Sequence, residues 1–368
     1  MSKSSSPKPP AAIARRLEAC RSKIQDKRAD GYLVTSRADQ FYLTGFNGED
    51  GGALILPRKV YLLTDGRFKE EAADARWATA VFRKGPFSDV VAKLVRKHRI
   101  TRLGIQPEHL TVLAHQRLRA AVKPARLVGM PSVAGDLRQI KDKGEVAAIA
   151  EAVRVAEAGF RAAIKRIRIG MTEQQFAAIL RYEMIARGAS DASFPIIVAE
   201  GPNSSRPHAV PGNRKFKRGS VVLIDWGATV NHYRSDLTRV VFIRRIPPRF
   251  RQVYERVLEA QLAGIDAIRP GVLMSDVDSA ARSVLKRAGM DKAFSHSLGH
   301  GIGIDIHEEP RLAPKVDKPL EPGMVVTVEP GVYFSGKPGV RIEDDVLVTR
   351  TGHEVLSRLT RDIERMIV

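Results

Sequence analysis

The sequence predicts a mixed α/β (α+β) protein in two domains: a small N-terminal α/β domain and a larger C-terminal domain built as a pseudo-twofold internal repeat. Three observations carry this. Short apolar strands alternate with helical patterns between residues 13 and 135. A charged stretch without periodicity at its start, GDLRQIKDKGE (135–145), interrupts the chain there. Beyond it, a set of motifs recurs in one order, about 100 residues apart.

Residues 1–12 are rich in Ser, Lys and Pro without periodicity and are expected to form a disordered tail. In the N-terminal domain, 13–135, GYLVTS (31–36), GALILP (52–57) and KVYLLTD (59–65) read as strands, and 87–99 reads as an amphipathic helix. Residues 136–143 are the expected linker. The second domain, 144–368, opens with a long helix running to about Arg168.

The repeat rests on three correspondences. IRIGMTE (167–173) matches IRPGVLMSD (268–276), each a helix end, a glycine stop and a new helix capped by Thr172 or Ser275. Thr172 and Gln175 form a capping-box pattern, followed by Phe176, Ile179, Leu180 and Met184 at helical spacing. GSVVLIDWG (219–227) aligns with GMVVTVEPG (323–331), placing Asp225 opposite Glu329, and HAVP (208–211) aligns with HEEP (307–310).

Composition narrows the function class. The 368 residues suit two domains of unequal size, and a hydrophobic fraction of 43% suits a globular chain. No run approaches the ~20 apolar residues of a bilayer span, and MSKSSSPKPP lacks the apolar stretch of a secretory signal, so a cytoplasmic protein without a membrane partner is expected. The single cysteine, Cys20, has no internal disulfide partner. The net charge of +20 raises nucleic acid as a partner, but clusters such as KLVRKHR (93–99) and RKFKR (214–218) lack aromatic interleaving and any zinc-finger, RRM or KH signature. A solvated basic surface is the preferred reading.

The chemistry gathers at the strand ends of the repeat. VVLIDWGA is followed by SDLTRVVFI (235–243), which places Asp225 and Asp236 on consecutive strands that pair as a hairpin. VVTVEPGVYF (325–334) and GVRIEDDVLVT (339–349) do the same for Glu329 and Glu343. Four carboxylates converging near the axis would repel one another and hold protons unless cations neutralised them. Two divalent metals balance four carboxylates. Adding the imidazole of His300, from SHSLGHGIGIDIHEEP (295–310), gives an oxygen-rich donor set that suits Mn²⁺, Co²⁺, Fe²⁺ or Zn²⁺ better than a thiolate metal. The glycines around His300 let the backbone approach closely. Taken singly, each motif has an ordinary reading as a turn residue, a loop or a charged strand edge. Five motifs in one order, with ligand-type residues at matched points of two halves, do not.

These residues resemble the metallopeptidase family M24, which includes methionine aminopeptidase, aminopeptidase P and prolidase and whose catalytic domain is called the pita-bread fold. The resemblance covers nearly all of 13–368. It implies that Asp225 chelates one metal, His300 and Glu329 the other, and that Asp236 and Glu343 bridge both, with Mn²⁺ the preferred ion. Three features are similar to the Xaa-Pro branch. These are a creatinase-like N-terminal domain carrying YLTGFNGEDGGALI (42–55) and LLTDGRF (62–68), His208 in PNSSRPHAVP (202–211), and Arg341 two residues before Glu343.

The resemblance implies a proline-containing peptide substrate and a homodimer. In the expected mechanism Glu329 moves the proton of the attacking water, and His208 and His307 polarise the carbonyl and stabilise its oxyanion. Arg341 pairs with substrate or orients Glu343. His296 supports the metal ligands from behind or makes a structural hydrogen bond. Release of the residue before proline from longer peptides is the first activity expected, a prolidase restricted to Xaa-Pro dipeptides the second. A non-catalytic pita-bread protein that binds RNA or protein, and hydrolysis of an unrelated amide, are weaker readings because every ligand position is intact.

Overall fold

The computed structural model describes residues 7–131 and 133–368, which fall into two compact units dividing after Arg138. Residues 1–6 of the expected tail lie outside the described residues, and helix α1 (Ala11–Asp26) begins inside its last two positions. A repeated apolar spacing explains that start. Leu17, Cys20 and Ile24 turn one face of α1 inward and are buried.

The first unit continues through β1 (Gly31–Val34), α2 (Arg37–Thr44), β2 (Gly52–Ile55), β3 (Val60–Thr64), α3 (Lys69–Asp74), β4 (Thr79–Phe82), α4 (Phe87–Lys97), β5 (Arg102–Ile105), α5 (Val112–Ala121), β6 (Arg126–Gly129) and α6 (Val133–Arg138). Its six strands form one mixed sheet in the order β4-β3-β2-β1-β5-β6. The central strands β1, β2 and β3 are buried along their whole length, which is why they read as continuous apolar runs rather than alternating ones. Helix α4 buries Val91, Ala92, Leu94 and Val95 against Leu33, Leu54 and Leu103.

Helix α6 runs through the first three residues of the expected linker, 136–143. The cause is a buried ion pair: Arg138 Nη1 meets Asp39 Oδ1 at 2.8 Å, and pairing of this kind folds a charged segment that looks like a spacer in sequence.

The second unit contains α7 (Lys143–Ile164), α8 (Glu173–Ile185), β7 (Asp191–Ala192), β8 (Ile197–Glu200), β9 (Val221–Trp226), β10 (Ala228–Val230), β11 (Tyr233–Arg234), β12 (Leu237–Phe242), α9 (Pro248–Ala267), α10 (Met274–Arg287), β13 (Gly299–Gly301), β14 (Glu308–Leu312), β15 (Val325–Val328), β16 (Gly331–Val332), β17 (Val340–Arg341), β18 (Asp344–Val348) and β19 (His353–Val355). The duplication is visible in the pairing. Strands β8-β9-β12 form one antiparallel array, and β13-β15-β18 lie in the same order within a five-stranded array flanked by β14 and β19. The two arrays meet at a bridge between Thr238 and Glu343. Helices cover this sheet through an apolar core in which Phe160 of α7 stacks on Trp226 of β9, centroids 4.3 Å apart. The Trp226 indole N–H donates to Ala156 O at 3.0 Å, so burying it leaves no donor unpaired.

Helix starts differ between the halves. Thr172 caps α8 with the full box, its hydroxyl accepting from Gln175 N at 3.2 Å while Gln175 Oε1 accepts from Thr172 N at 3.0 Å. Ser275 does not cap α10, contrary to expectation. That helix begins at Met274 with Leu273 at the cap, and the Ser275 hydroxyl donates to Asp317 Oδ1 at 2.9 Å. The repeat itself explains the shift. Thr172 bridges Lys215 and Leu273 bridges Pro319, so Leu273 is the structural counterpart of Thr172.

No described helix is long and apolar enough to cross a membrane.

Candidate metal centre

The centre sits where the two halves meet, because strand pairing delivers carboxylates there. Asp225 lies within β9, and Asp236 precedes β12, which pairs with β9 from Leu237–Trp226 onward. Glu329 follows β15, and Glu343 precedes β18, which pairs with β15 from Val328–Asp344 onward. Each pair of strands is therefore antiparallel. Instead of a simple hairpin, each half inserts a second, short one, β10-β11 or β16-β17, between them. His300 is the middle residue of β13, between Gly299 and Gly301. A Cβ on Gly299 would collide with the Thr327 carbonyl and one on Gly301 with the Glu309 carbonyl, so the glycines let β13 lie tightly between its neighbours. The register with β14 breaks between His300 and Gly301, an irregularity of the kind that re-aims a side chain.

The donor atoms converge. Ligand atoms of Asp236, His300 and Glu343 lie within 4.8 Å of one another, and all three residues are buried. His300 Nδ1 is 3.0 Å from Gly301 O and so carries the ring proton, leaving the Nε2 lone pair towards Glu329 Oε1 at 3.4 Å and Asp236 Oδ2 at 3.6 Å. Glu343 Oε2 accepts from Thr238 Oγ1 at 2.6 Å. Asp225 Oδ2 accepts from Arg341 Nη2, while its buried Oδ1 has no hydrogen-bond partner among the described residues.

Burial shapes the protonation of these groups. Desolvation, then the charges of Glu343, Asp225 and their neighbours, raises the Asp236 carboxyl well above its ordinary range. Glu343 is raised well above its own range by burial and then by Glu329 and Asp225. Burial takes Glu329 up to about 8 and also raises Asp225, although the Arg341 charge opposes both shifts. His300 is pushed down to about 4, chiefly by desolvation, which keeps its imidazole neutral and able to ligate. A buried group of acids with one guanidinium beside it, an orphaned carboxylate oxygen and a bare imidazole nitrogen is a donor set that fits divalent cations.

The other expected residues surround this cluster. The His307 ring lies 4.3 Å from that of His300, tilted by 70°, and His307 is exposed. His208 is also exposed, on the loop after β8, near enough for its charge to act on Asp225 and His307. Arg341 reaches Asp225 directly and Glu343 through Thr238, whose Oγ1 accepts from Arg341 Nε at 3.0 Å. His296 Nε2 is 3.1 Å from the Tyr333 hydroxyl, to which Arg341 Nη1 donates at 2.6 Å.

Several supporting residues escaped the sequence reading. Thr327 Oγ1 takes the His300 amide at 3.1 Å and approaches Glu329 Oε1 at 3.3 Å. Asp345 Oδ2 accepts from the Asp236 amide at 3.0 Å. Beneath them Arg239, fully buried, pairs with Asp344 at 2.8 Å and donates to Glu343 O at 2.6 Å and Leu359 O at 2.8 Å. The signal for some was available. Thr238, Thr327 and Asp345 stand two residues from Asp236, Glu329 and Glu343, on the same strand face.

Comparison with known proteins defines the class to which this fold and centre belong. Residues 147–350 match the model of metallopeptidase family M24, and residues 16–140 match the creatinase/prolidase N-terminal domain. The chain is 34% identical to the Xaa-Pro dipeptidase of Pyrococcus furiosus over 95% of its own length and 99% of the relative's. Among solved structures it is similar to an Xaa-Pro dipeptidase from Bacillus anthracis, at 35% identity and a TM-score of 0.92 over 95% of this chain and 99% of that one. It also resembles an X-Pro aminopeptidase from Thermotoga maritima MSB8, at 34% identity and a TM-score of 0.87 over 93% and 99%. The chain belongs to metallopeptidase family M24.

Proposed function

We propose that this protein is a two-metal Xaa-Pro dipeptidase, hydrolysing the bond between an N-terminal residue and a C-terminal proline. The observation that carries the metal dependence is the set of buried Asp225, Asp236 and Glu343 with partly buried Glu329 around the bare Nε2 of His300. Asp225 would hold one ion, His300 and Glu329 the other, and Asp236 and Glu343 both. Mn²⁺ is the ion proposed. A homodimer goes with this reading through the resemblance alone, and a cytoplasmic address through the expectation drawn from the apolar patterning of the sequence.

Dipeptides move ahead of longer peptides because relatives in two organisms, over nearly their whole length, bear the name Xaa-Pro dipeptidase. The similarity to an X-Pro aminopeptidase keeps cleavage of longer chains as the second reading. Ala-Pro and Ala-Pro-Ala separate them: a dipeptidase cleaves the first and leaves the second intact.

The bound cations would supply Lewis acidity, acidifying water and polarising the peptide carbonyl. The chain supplies the remainder. Glu329, ionised once the cations are bound, takes a proton from the water and returns it to the prolyl nitrogen. His208 and His307, exposed beside the cluster, donate to the oxygen that becomes negative in the transition state. Arg341 fixes Asp225 and, through Thr238, Glu343, and it is held in turn by Tyr333.

His208→Ala and His307→Ala should each lower kcat by about 100-fold, the effect of losing ~3 kcal/mol of oxyanion stabilisation, and leave metal content intact. Metal analysis beside the kinetics decides it. Parallel loss of metal would move them into the coordination shell.

A pH dependence follows from the same burial. Glu329 holds its proton up to about 8 in the folded, metal-free chain, against ~4.3 for an unperturbed glutamate. Its contribution to stability is therefore full below ~4.3 and is lost as pH rises through about 8. Cations reverse this by stabilising the ionised carboxylates. Added Mn²⁺ should raise Tm more at pH 8 than at pH 6, and an equal or opposite difference would contradict the ligand set.

A further inference from the structure

The loop that carries His208 is held by a single buried carboxylate. Glu173, the first residue of α8, is wholly inaccessible to solvent although an ionised side chain in such a place is costly unless fully bonded. The donors that meet it come from one segment, residues 200–212. Glu173 Oε1 accepts from Glu200 N at 2.7 Å and Asn203 Nδ2 at 3.0 Å, and Oε2 accepts from Gly212 N at 2.8 Å and Asn203 Nδ2 at 3.1 Å. The carboxylate thus joins the first and last residues of that segment to each other, with His208 on the span between them.

The same span abuts the strand that bears Arg341. Ser204 Oγ accepts from Gly339 N at 2.9 Å and donates to Gly201 O at 2.7 Å, and a Cβ on Gly339 would collide with the Ser204 carbonyl. A loop pinned at both ends by Glu173 and pressed against β17 has little freedom left to move its exposed imidazole.

We propose that Glu173 is the positioning residue for His208: by closing the 200–212 loop it holds that imidazole at the metal centre while touching neither metal nor substrate. This rests on the reading of His208 as an oxyanion donor. Misplacing a catalytic group by about an ångström is enough to lower turnover by one to two orders of magnitude. Glu173→Gln keeps the shape but turns an amide N–H₂ towards loop donors, and Asn203→Ala removes the side chain that both oxygens share.

The test is a double-mutant cycle on the Mn²⁺-loaded full chain with Ala-Pro. Each substitution alone should lower kcat by at least ~10-fold with unchanged metal content, and in the His208→Ala background neither should lower it by more than ~2-fold. Equal fold losses in both backgrounds, or loss of metal, would overturn the proposal. Hydrogen exchange over 200–212 supplies a readout that needs no substrate. Faster exchange there in both variants is expected, and unchanged protection overturns the proposal even if the protein proves inactive on Ala-Pro. Should Glu173→Gln fail to fold, Asn203→Ala carries both measurements. Failure of the functional reading looks different: wild type would not cleave Ala-Pro, or His208→Ala would match it.

Discussion

Asp236→Ala or Glu343→Ala is expected to lower kcat by at least ~1,000-fold, about 4 kcal/mol of barrier, and to lower metal occupancy together with activity. Each removes a carboxylate assigned to both ions, so both cations become under-coordinated at once. The scaffold is equipped to survive the change. The Asp236 amide, which the substitution keeps, still donates to Asp345 Oδ2, and Thr238 retains Arg341 as a partner when Glu343 is gone. Loss of activity with a native far-UV spectrum would therefore report on the centre. Two bound metals per chain and near-normal turnover in either variant would mean that the ligand set is wrong.

Proline selectivity should be nearly as large. Ala-Pro is expected to be cleaved at least ~100-fold faster than Ala-Ala, equivalent to ~2.7 kcal/mol in the transition state. The prolyl nitrogen carries no hydrogen and its ring fixes φ, so a site shaped around it rejects ordinary peptides by shape, without polar discrimination. Comparable rates on the two, or faster release of Met from Met-Ala-Ser, would remove the proline assignment and leave the metal centre standing.

The centre was more legible than its surroundings, for a physical reason. Asp225, Asp236, Glu329 and Glu343 interrupt or end runs of buried Val and Ile, where an acid must be compensated, and the duplication shows them twice. The strands GYLV and VYLLT and the capped start of α8 were legible too, because local patterning alone decides them. The misreadings share a cause in tertiary contacts. Ser275 looks like a cap, but pairing of Leu273 with Pro319 sets that helix start two positions earlier than a Ser275 cap would. The segment 136–138 looks like a spacer until Arg138 meets Asp39, 99 residues away. Arg239 drew no reading in sequence: its ion pair with Asp344 and the carbonyls of Glu343, Leu359 and Thr360 explain its burial, and all of these lie more than 100 residues away. Glu173, at the start of α8, drew no reading either. Its partners come from a loop whose return is invisible in local sequence.

Titration of the metal-free protein with Mn²⁺, assayed on Ala-Pro with bound metal counted in the same samples, tests the central claim most directly. Activity should be absent without metal, rise with bound Mn²⁺ and level off at two ions per chain, and it should disappear on chelation and return on reloading. Ala-Pro cleavage that persists in metal-free protein, or two tightly bound ions without any cleavage of Ala-Pro, would contradict it.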